Sequence, residues 1–194
     1  MGKANLDYSN YYWQADKIRL RGFTIDDAEH RLAHNLDSIA MELFNIGIHL
    51  PTTLDAQKAW IEKHAGCQEV NGKIAFAMET HDGEYVGFAM MHSIDERHGK
   101  FWFSVIVNRQ HQRRGYAEEA VRLILKYGFL ERRMHKCTSA CASYNPASIR
   151  LHEKLGFTLD GRLREESFYN GQHHDELMWG LTLEDYLAKT HLGE

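Results

Sequence analysis

The stretch SVIVNRQHQRRGYAEEAV, residues 104–121, changes character twice. An apolar, strand-like run ends at Val107 and a polar, arginine-rich loop follows. Gly115 then opens into a pattern in which Ala117, Ala120, Val121, Ile124 and Leu125 recur at helical spacing. A strand–loop–glycine–helix junction presents backbone N–H groups that have no partner inside the helix, beside the positive end of the helix dipole. It suits a phosphate or pyrophosphate. Gly115 lets the backbone approach an anion, Ala117 keeps the helix entry uncrowded, and Arg113 and Arg114 add positive charge. A surface loop before an amphipathic helix has the same local pattern, so these residues alone leave both readings open.

Upstream, KIAFAMET, EYVGFAMMHSI and KFWFSVIV form three successive strand candidates from Lys73 onward. Asp82-Gly83 is a type I′ hairpin signal between the first two, so an antiparallel meander is expected. Before the meander, KIRLRGF (17–23) alternates as a strand. Thr24 is placed to cap a helix over DDAEHRLAHNL, a second helical stretch ends at Gly47, and a third begins near Thr52 or Thr53. Residues 1–16 read as an arm packed against the domain. Downstream come a short buried strand, KCTSACAS, a helix, NPASIRLHEKLG, and two strands joined by Asn170-Gly171. Thr182 then caps a last helix, LEDYLAK. The expected fold class is α/β with a mixed (α+β) sheet of about seven strands, a central antiparallel meander and helices on both faces. The absence of GxGxxG and GxxxxGK[ST] removes the usual dinucleotide and P-loop readings.

The 194 residues fit a single domain, 1–194, with enough chain to bury a core without staples. With 23 Lys+Arg against 27 Asp+Glu, the net charge of -4 argues against nucleic acid as a partner. Three cysteines without a CxxC pair argue against a disulfide framework, and no apolar signal core or membrane-length run is present. A soluble, cytoplasmic protein with no membrane association is expected. The 13 histidines scatter along the chain, and no His or Cys cluster has zinc-site spacing, so the expected metal is none.

Gln112-Arg113-Arg114-Gly115-Tyr116-Ala117 resembles the Q/R-x-x-G-x-G/A signature of the GNAT family of N-acetyltransferases, which bind acetyl-CoA. KIRLRGFTIDDAE, NPASIRLHEKLGF and DGRLREESFYNGQHHDELMWGLTLEDY resemble segments of its ribosomal-protein and spermidine branch, in the same order, across residues 17–187. The resemblance implies the acyl-CoA N-acyltransferase fold, acetyl-CoA as cosubstrate, and a primary-amine acceptor that is a protein N-terminus, a polyamine or another small amine. It implies a CoA pyrophosphate held by backbone amides from Arg113 to Ala117, with Gln112 and Tyr116 in the same motif. Val105, Ile106 and Val107 would bond the pantetheine arm like an added strand, and Asn145 would contact that arm. Direct attack by the amine in a ternary complex then needs no covalent enzyme intermediate.

Many family members carry a tyrosine that protonates the departing thiolate, and here the matching position is His152. An imidazole with its ordinary pKa of about 6.5 could do this; the alternative is a surface histidine and no general acid. Tyr144 is the substitute candidate. For the general base, the candidates are His92, Asp95 and Glu96 at or beyond the end of the second meander strand and His98 and Glu84 on the adjoining turns, with solvated surface as the alternative for each. Asp37, Glu42, Asp55 and Glu62 in the early helices could attract cations, or simply face water. The alternative function is a non-catalytic CoA-binding sensor or interaction module. Exposed edges of the meander or the last hairpin are where two copies could pair as a homodimer.

Overall fold

The computed structural model describes residues 6–43, 50–67 and 69–191. Strands β1 (Ile18–Arg21), β2 (Ile74–Thr80), β3 (Tyr85–Asp95), β4 (Lys100–Val107), β5 (Lys136–Ala142), β6 (Thr158–Tyr169) and β7 (Gln172–Thr182) form one sheet in the order β1-β2-β3-β4-β5-β7-β6. The sheet is antiparallel except for β4 and β5, which run parallel. The helices are α1 (Asp27–Asn35), α2 (Ser38–Leu43), α3 (Leu54–His64), α4 (Tyr116–Lys126), α5 (Pro146–Leu155) and α6 (Leu183–His191). The mixed sheet and its meander agree with the pattern of alternating and helical periods. The expected continuation of the second helix to Gly47 lies outside the described residues.

Register assigns the two faces. Ala77, Phe88 and Ile106 stand in line across β2, β3 and β4, as do Ala75, Met90 and Ser104. This face carries α1 and α3, which bury Phe23, Ala28 and Ile61 against Ala75, Ala77 and Tyr85. The opposite face holds the larger core, where Ala120, Val121 and Ile124 of α4 meet Phe76, Ala89 and Phe103. Burying a residue such as Ile124 contributes about 1.5–3 kcal/mol. That burial, rather than helix propensity, holds α4 and the loop before it in place. Trp13 of the N-terminal arm packs on the Phe76 and Tyr127 rings at 4.6 and 4.9 Å.

Two local expectations change in detail and three hold. Thr24 does not cap α1; Asp27 instead accepts from the Thr24 N–H at 2.7 Å while pairing with Arg21. A carboxylate held by a guanidinium outcompetes a hydroxyl for that role. The β2–β3 turn is not type I′, because only Gly83 (φ 82) is left-handed there and its N–H bonds to the Thr80 carbonyl at 2.9 Å. Asn170 and Gly171, both at positive φ (48 and 77), do form the primed turn. Thr53 caps α3 by accepting from the Ala56 N–H at 3.2 Å. Thr182 likewise receives the Asp185 N–H at 3.2 Å.

Candidate active site

The parallel pairing of β4 with β5 runs over Lys100, Phe101 and Trp102 against Lys136, Cys137 and Thr138. Beyond Trp102, β4 continues to Val107 on β3 alone and β5 continues to Ala142 on β7 alone. The two strands therefore part in mid-sheet, and Phe103–Val107 presents a strand edge that β5 does not cover. Unpaired backbone donors and acceptors along such an edge are a template for an extended amide-bearing ligand. Val105, Ile106 and Val107 lie on this edge. Gly87 of β3 permits the approach behind it, since a Cβ there would collide with the Ile106 carbonyl.

At the open end of the gap, Gly115 is the N-cap of α4 with φ 87, and Arg113 is also left-handed (φ 62). Successive backbone N–H groups in such conformations converge on an anion. Gln112 folds the loop back by donating Nε2–H to the Val107 carbonyl at 3.3 Å. The side chain of Arg114 turns toward the Gln110 carbonyl at 3.4 Å. Tyr116 is buried, so its side chain anchors the helix entry, while Ala117 is only partly covered. Sequence reasoning missed Lys17, whose Nζ donates to the Arg114 carbonyl at 3.2 Å and lies 3.1 Å from where a Gly115 Cβ would be. Glu119 holds this strand start in place by accepting from the Lys17 backbone N–H at 2.9 Å. Nothing local in the chain signals a contact across 97 positions.

Inside the gap, His152 of α5 is 1% exposed, which rules out the surface alternative. Its ring stacks on Trp179 at 5.3 Å and lies 5.5 Å from Phe103. Nδ1–H donates to the Ser148 carbonyl at 2.8 Å, which leaves Nε2 as a buried lone pair without a hydrogen-bond partner. Burial lowers its pKa to about 4 despite that backbone bond. At neutral pH the imidazole therefore carries no proton on Nε2 to give away. Cys137 and Cys141 share the core face, and burial raises both thiols, so neither is an activated nucleophile.

On the opposite face His92 bridges β3 to the parting strand. Its Nε2 lies 2.9 Å from Ser104 Oγ and its Nδ1 3.1 Å from Ser93 Oγ. Burial, with help from the Lys73 charge, lowers its pKa, so it is neutral at pH 7 and able to accept a proton. Another candidate base, Glu84, sits at the far end of β3. It is exposed and 3.7 Å from His111, beside the loop that follows β4. The structure thus separates two residues that the linear reading grouped together.

Tyr144 and Asn145 stand where β5 gives way to α5. Tyr144 stacks on Tyr169 at 4.6 Å and donates to the Glu42 carbonyl at 3.4 Å. Asn145 caps α5, accepting from the Ser148 N–H at 3.1 Å, and its Nδ2 donates to the Leu43 carbonyl at 2.7 Å. Its amide makes one bond at each end and keeps one N–H and one lone pair for a further partner. Arg109 pairs with Asp37 at 2.7 Å at the other end of α2. Helix α2 is therefore tied to the ends of both parting strands and overlies the mouth of the gap. Among the described residues, no group of three or more His, Cys, Asp or Glu could hold a metal ion. No described helix is long and apolar enough to cross a membrane.

A strand edge exposed in mid-sheet with a left-handed glycine cradle at its open end is the geometry of an acyl-carrier transferase fold. Residues 17–158 match the acetyltransferase (GNAT) domain, and the chain belongs to that family. It is 28% identical over 181 residues to an uncharacterised N-acetyltransferase derived from the SPbeta prophage of Bacillus subtilis (strain 168), covering 90% of this chain and 95% of that protein. It is 31% identical over 108 residues to the spermidine N(1)-acetyltransferase of Escherichia coli (strain K12), covering 56% and 58% respectively. The spermidine N-acetyltransferase of Vibrio cholerae, crystallised with CoA and spermine, superposes with a TM-score of 0.77 at 25% identity, over 88% of this chain and 98% of that one. The protein is an N-acetyltransferase.

Proposed function

We propose that this enzyme transfers the acetyl group of acetyl-CoA to a primary amine by direct attack in a ternary complex. The observation that carries this reading is the parting of β4 from β5 beyond Trp102, with the Gly115 cradle at its open end. The residues present fit the cofactor. Gly115 leaves a cradle without a Cβ, Lys17 and Arg113 add charge beside it, and the His152 Nε2 is an orphaned polar atom within the gap. Acetyl-CoA would supply an activated acyl group on a good leaving thiolate. Residues 105–107 would hold the arm, and one backbone N–H there would polarise the thioester carbonyl.

The amine reaches this point from the α1/α3 face, as an ammonium that must first lose a proton. His92 accepts that proton through the Ser104 hydroxyl, which lies between the imidazole and the strand edge. His152 takes no part as an acid in its buried neutral state. Its Nε2 lone pair can only accept, so it would serve an amide N–H of the arm or the S–H of product CoA, and Tyr144 stands at the start of α5 with its hydroxyl on the Glu42 carbonyl. The acceptor is a small amine or a protein N-terminus, and two copies pair through exposed strand edges in a cytoplasmic setting. Thiol release from acetyl-CoA with a panel of amines tests the reading. Amine-dependent CoA release that declines on acidification in parallel with His92 protonation, at a pH below that of an ordinary imidazole, is expected. Binding of acetyl-CoA without release for any amine would defeat it.

A further inference from the structure

Arg31 of α1 lies in an aromatic box on the acceptor face. Its guanidinium sits 3.5 Å from the Trp60 ring centroid, 5.3 Å from Phe23 and 5.2 Å from Phe88. Nε and Nη1 are buried and have no hydrogen-bond partner, although the residue as a whole is only partly covered. The neighbouring carboxylate, Asp27, is already engaged by Arg21 at 2.7 and 2.9 Å and by Thr24. A buried charged donor left unmatched among rings is costly to keep, and stacking on Trp60 offsets only part of that cost. Planar stacking also fixes the guanidinium so that its edge is preorganised for an oxyanion.

The position matters as much as the charge. Phe88, on which Arg31 rests, is the register partner of Ile106 on the parting strand. Directly paired residues are about 5 Å apart, which puts the guanidinium on the order of 10 Å from the edge where the thioester would lie. The β3 and β4 residues facing the acceptor side are Phe88, Met90, His92, Trp102, Ser104 and Ile106, none of them acidic. Carboxylates on this side come from elsewhere: Asp27 and Glu79 are held by Arg21 and Asp37 by Arg109, Glu29, Asp55 and Glu62 stand on α1 and α3, Glu42 on α2, and Glu176 of β7 is in register with Ala142. A polycation would meet Arg31 unfavourably, whereas an amine carrying its own oxyanion would satisfy it.

We propose that Arg31 selects the acceptor, binding the carboxylate or phosphate of an amine that carries such a group a few bonds from its nitrogen. This inference rests on the acetyl-transfer reading above and names the substrate class for that site. It separates this enzyme from relatives whose named acceptor is spermidine.

The test compares three acceptors matched in length, 4-aminobutyrate, 3-aminopropylphosphonate and butylamine, with spermidine as the polyamine. One of the two anionic amines should exceed butylamine in kcat/KM by roughly 10- to 100-fold, the value of a charge-assisted hydrogen bond, and which one distinguishes carboxylate from phosphate. In Arg31→Gln and Arg31→Met that ratio should collapse toward one. Preference for spermidine or butylamine overturns the proposal, as does a ratio that both variants retain. If no amine releases CoA, the transfer reading fails, and binding then decides the inference. Glutarate and inorganic phosphate are titrated while tryptophan emission is followed, since Trp60 lies against the guanidinium. A response in the wild type that Arg31→Met abolishes, with the melting temperature of that variant intact, sustains Arg31 as an anion site; no response overturns it.

Discussion

His152 makes the chain acid-sensitive in a defined window. Folded, its pKa is about 4; in an unfolded chain it returns to about 6.5. Because the folded value is the lower one, the unfolded state binds the proton first. The stability that the neutral ring contributes is fully present above pH 6.5 and is lost as pH falls from 6.5 to 4. The gap between the two values, at about 1.36 kcal/mol per unit, amounts to about 3 kcal/mol. That is a large share of the 5–15 kcal/mol typical of a domain. His152→Phe keeps a ring for Trp179 to stack on and removes the titration, at a constant cost of about 1 kcal/mol for the lost Ser148 bond. Urea unfolding from pH 7 to pH 4 should show the wild type losing about 3 kcal/mol more than the variant, which cancels the contributions of the other histidines. The His152 ring protons should meanwhile hold a neutral chemical shift down to about pH 5. Parallel stability curves, or a ring that titrates near 6.5, would refute burial as the cause and restore His152 as a candidate acid.

Other outcomes follow from single contacts. Gly115→Ala forces a side chain into a left-handed position beside Lys17 Nζ, so acetyl-CoA binding by calorimetry should weaken by about tenfold, the equivalent of 1–2 kcal/mol of backbone strain. Lys17→Ala should weaken the same binding by a few fold and make it less salt-dependent. Ser104→Ala should lower kcat more than it raises KM for the amine, with acetyl-CoA affinity kept; equal loss in both would remove the hydroxyl from the proton path. Asp27→Asn leaves Arg21 short of its buried partner, and denaturant unfolding should report a loss of about 3–5 kcal/mol. Burial raises the Asp27 and Glu79 carboxyls, but bonds from Arg21, Thr24 and Arg19 more than offset it. Their contribution is therefore present above about pH 4 and falls away only below it, a second acid step distinct from that of His152.

Much of the fold is legible along the chain because it is written in local periods. The alternation in KIRLRGF, the run KFWFSVIV and the helical spacing from Ala117 to Leu125 each need only neighbours a few residues away to be read. The Gly115 junction belongs to the same class, since a strand end, a left-handed glycine and a helix start are all local. What escaped reading is non-local. Asp27 displaced Thr24 as the α1 capping partner because Arg21, on a strand, holds its carboxylate. Glu84 and His92 are eight positions apart in number but occupy opposite ends of an extended strand. Asn145 carries a family motif, yet its amide also bonds to its own helix and to α2.

The amino-acid sequence by itself determined the order of elements, the acidic charge balance, the glycine loop before α4 and the histidine at position 152. Tertiary structure alone decided the charge of that position, because the pKa of an imidazole depends on how much water packing removes. Trp179 and Phe103, which close around His152, come from strands distant in the chain. It also brought Lys17 to the cradle and left Arg31 among aromatic rings from a loop, a helix and a strand. Periodicity records which face a residue occupies. Only the folded chain determines which groups from other elements meet it there, and those meetings set protonation and charge balance.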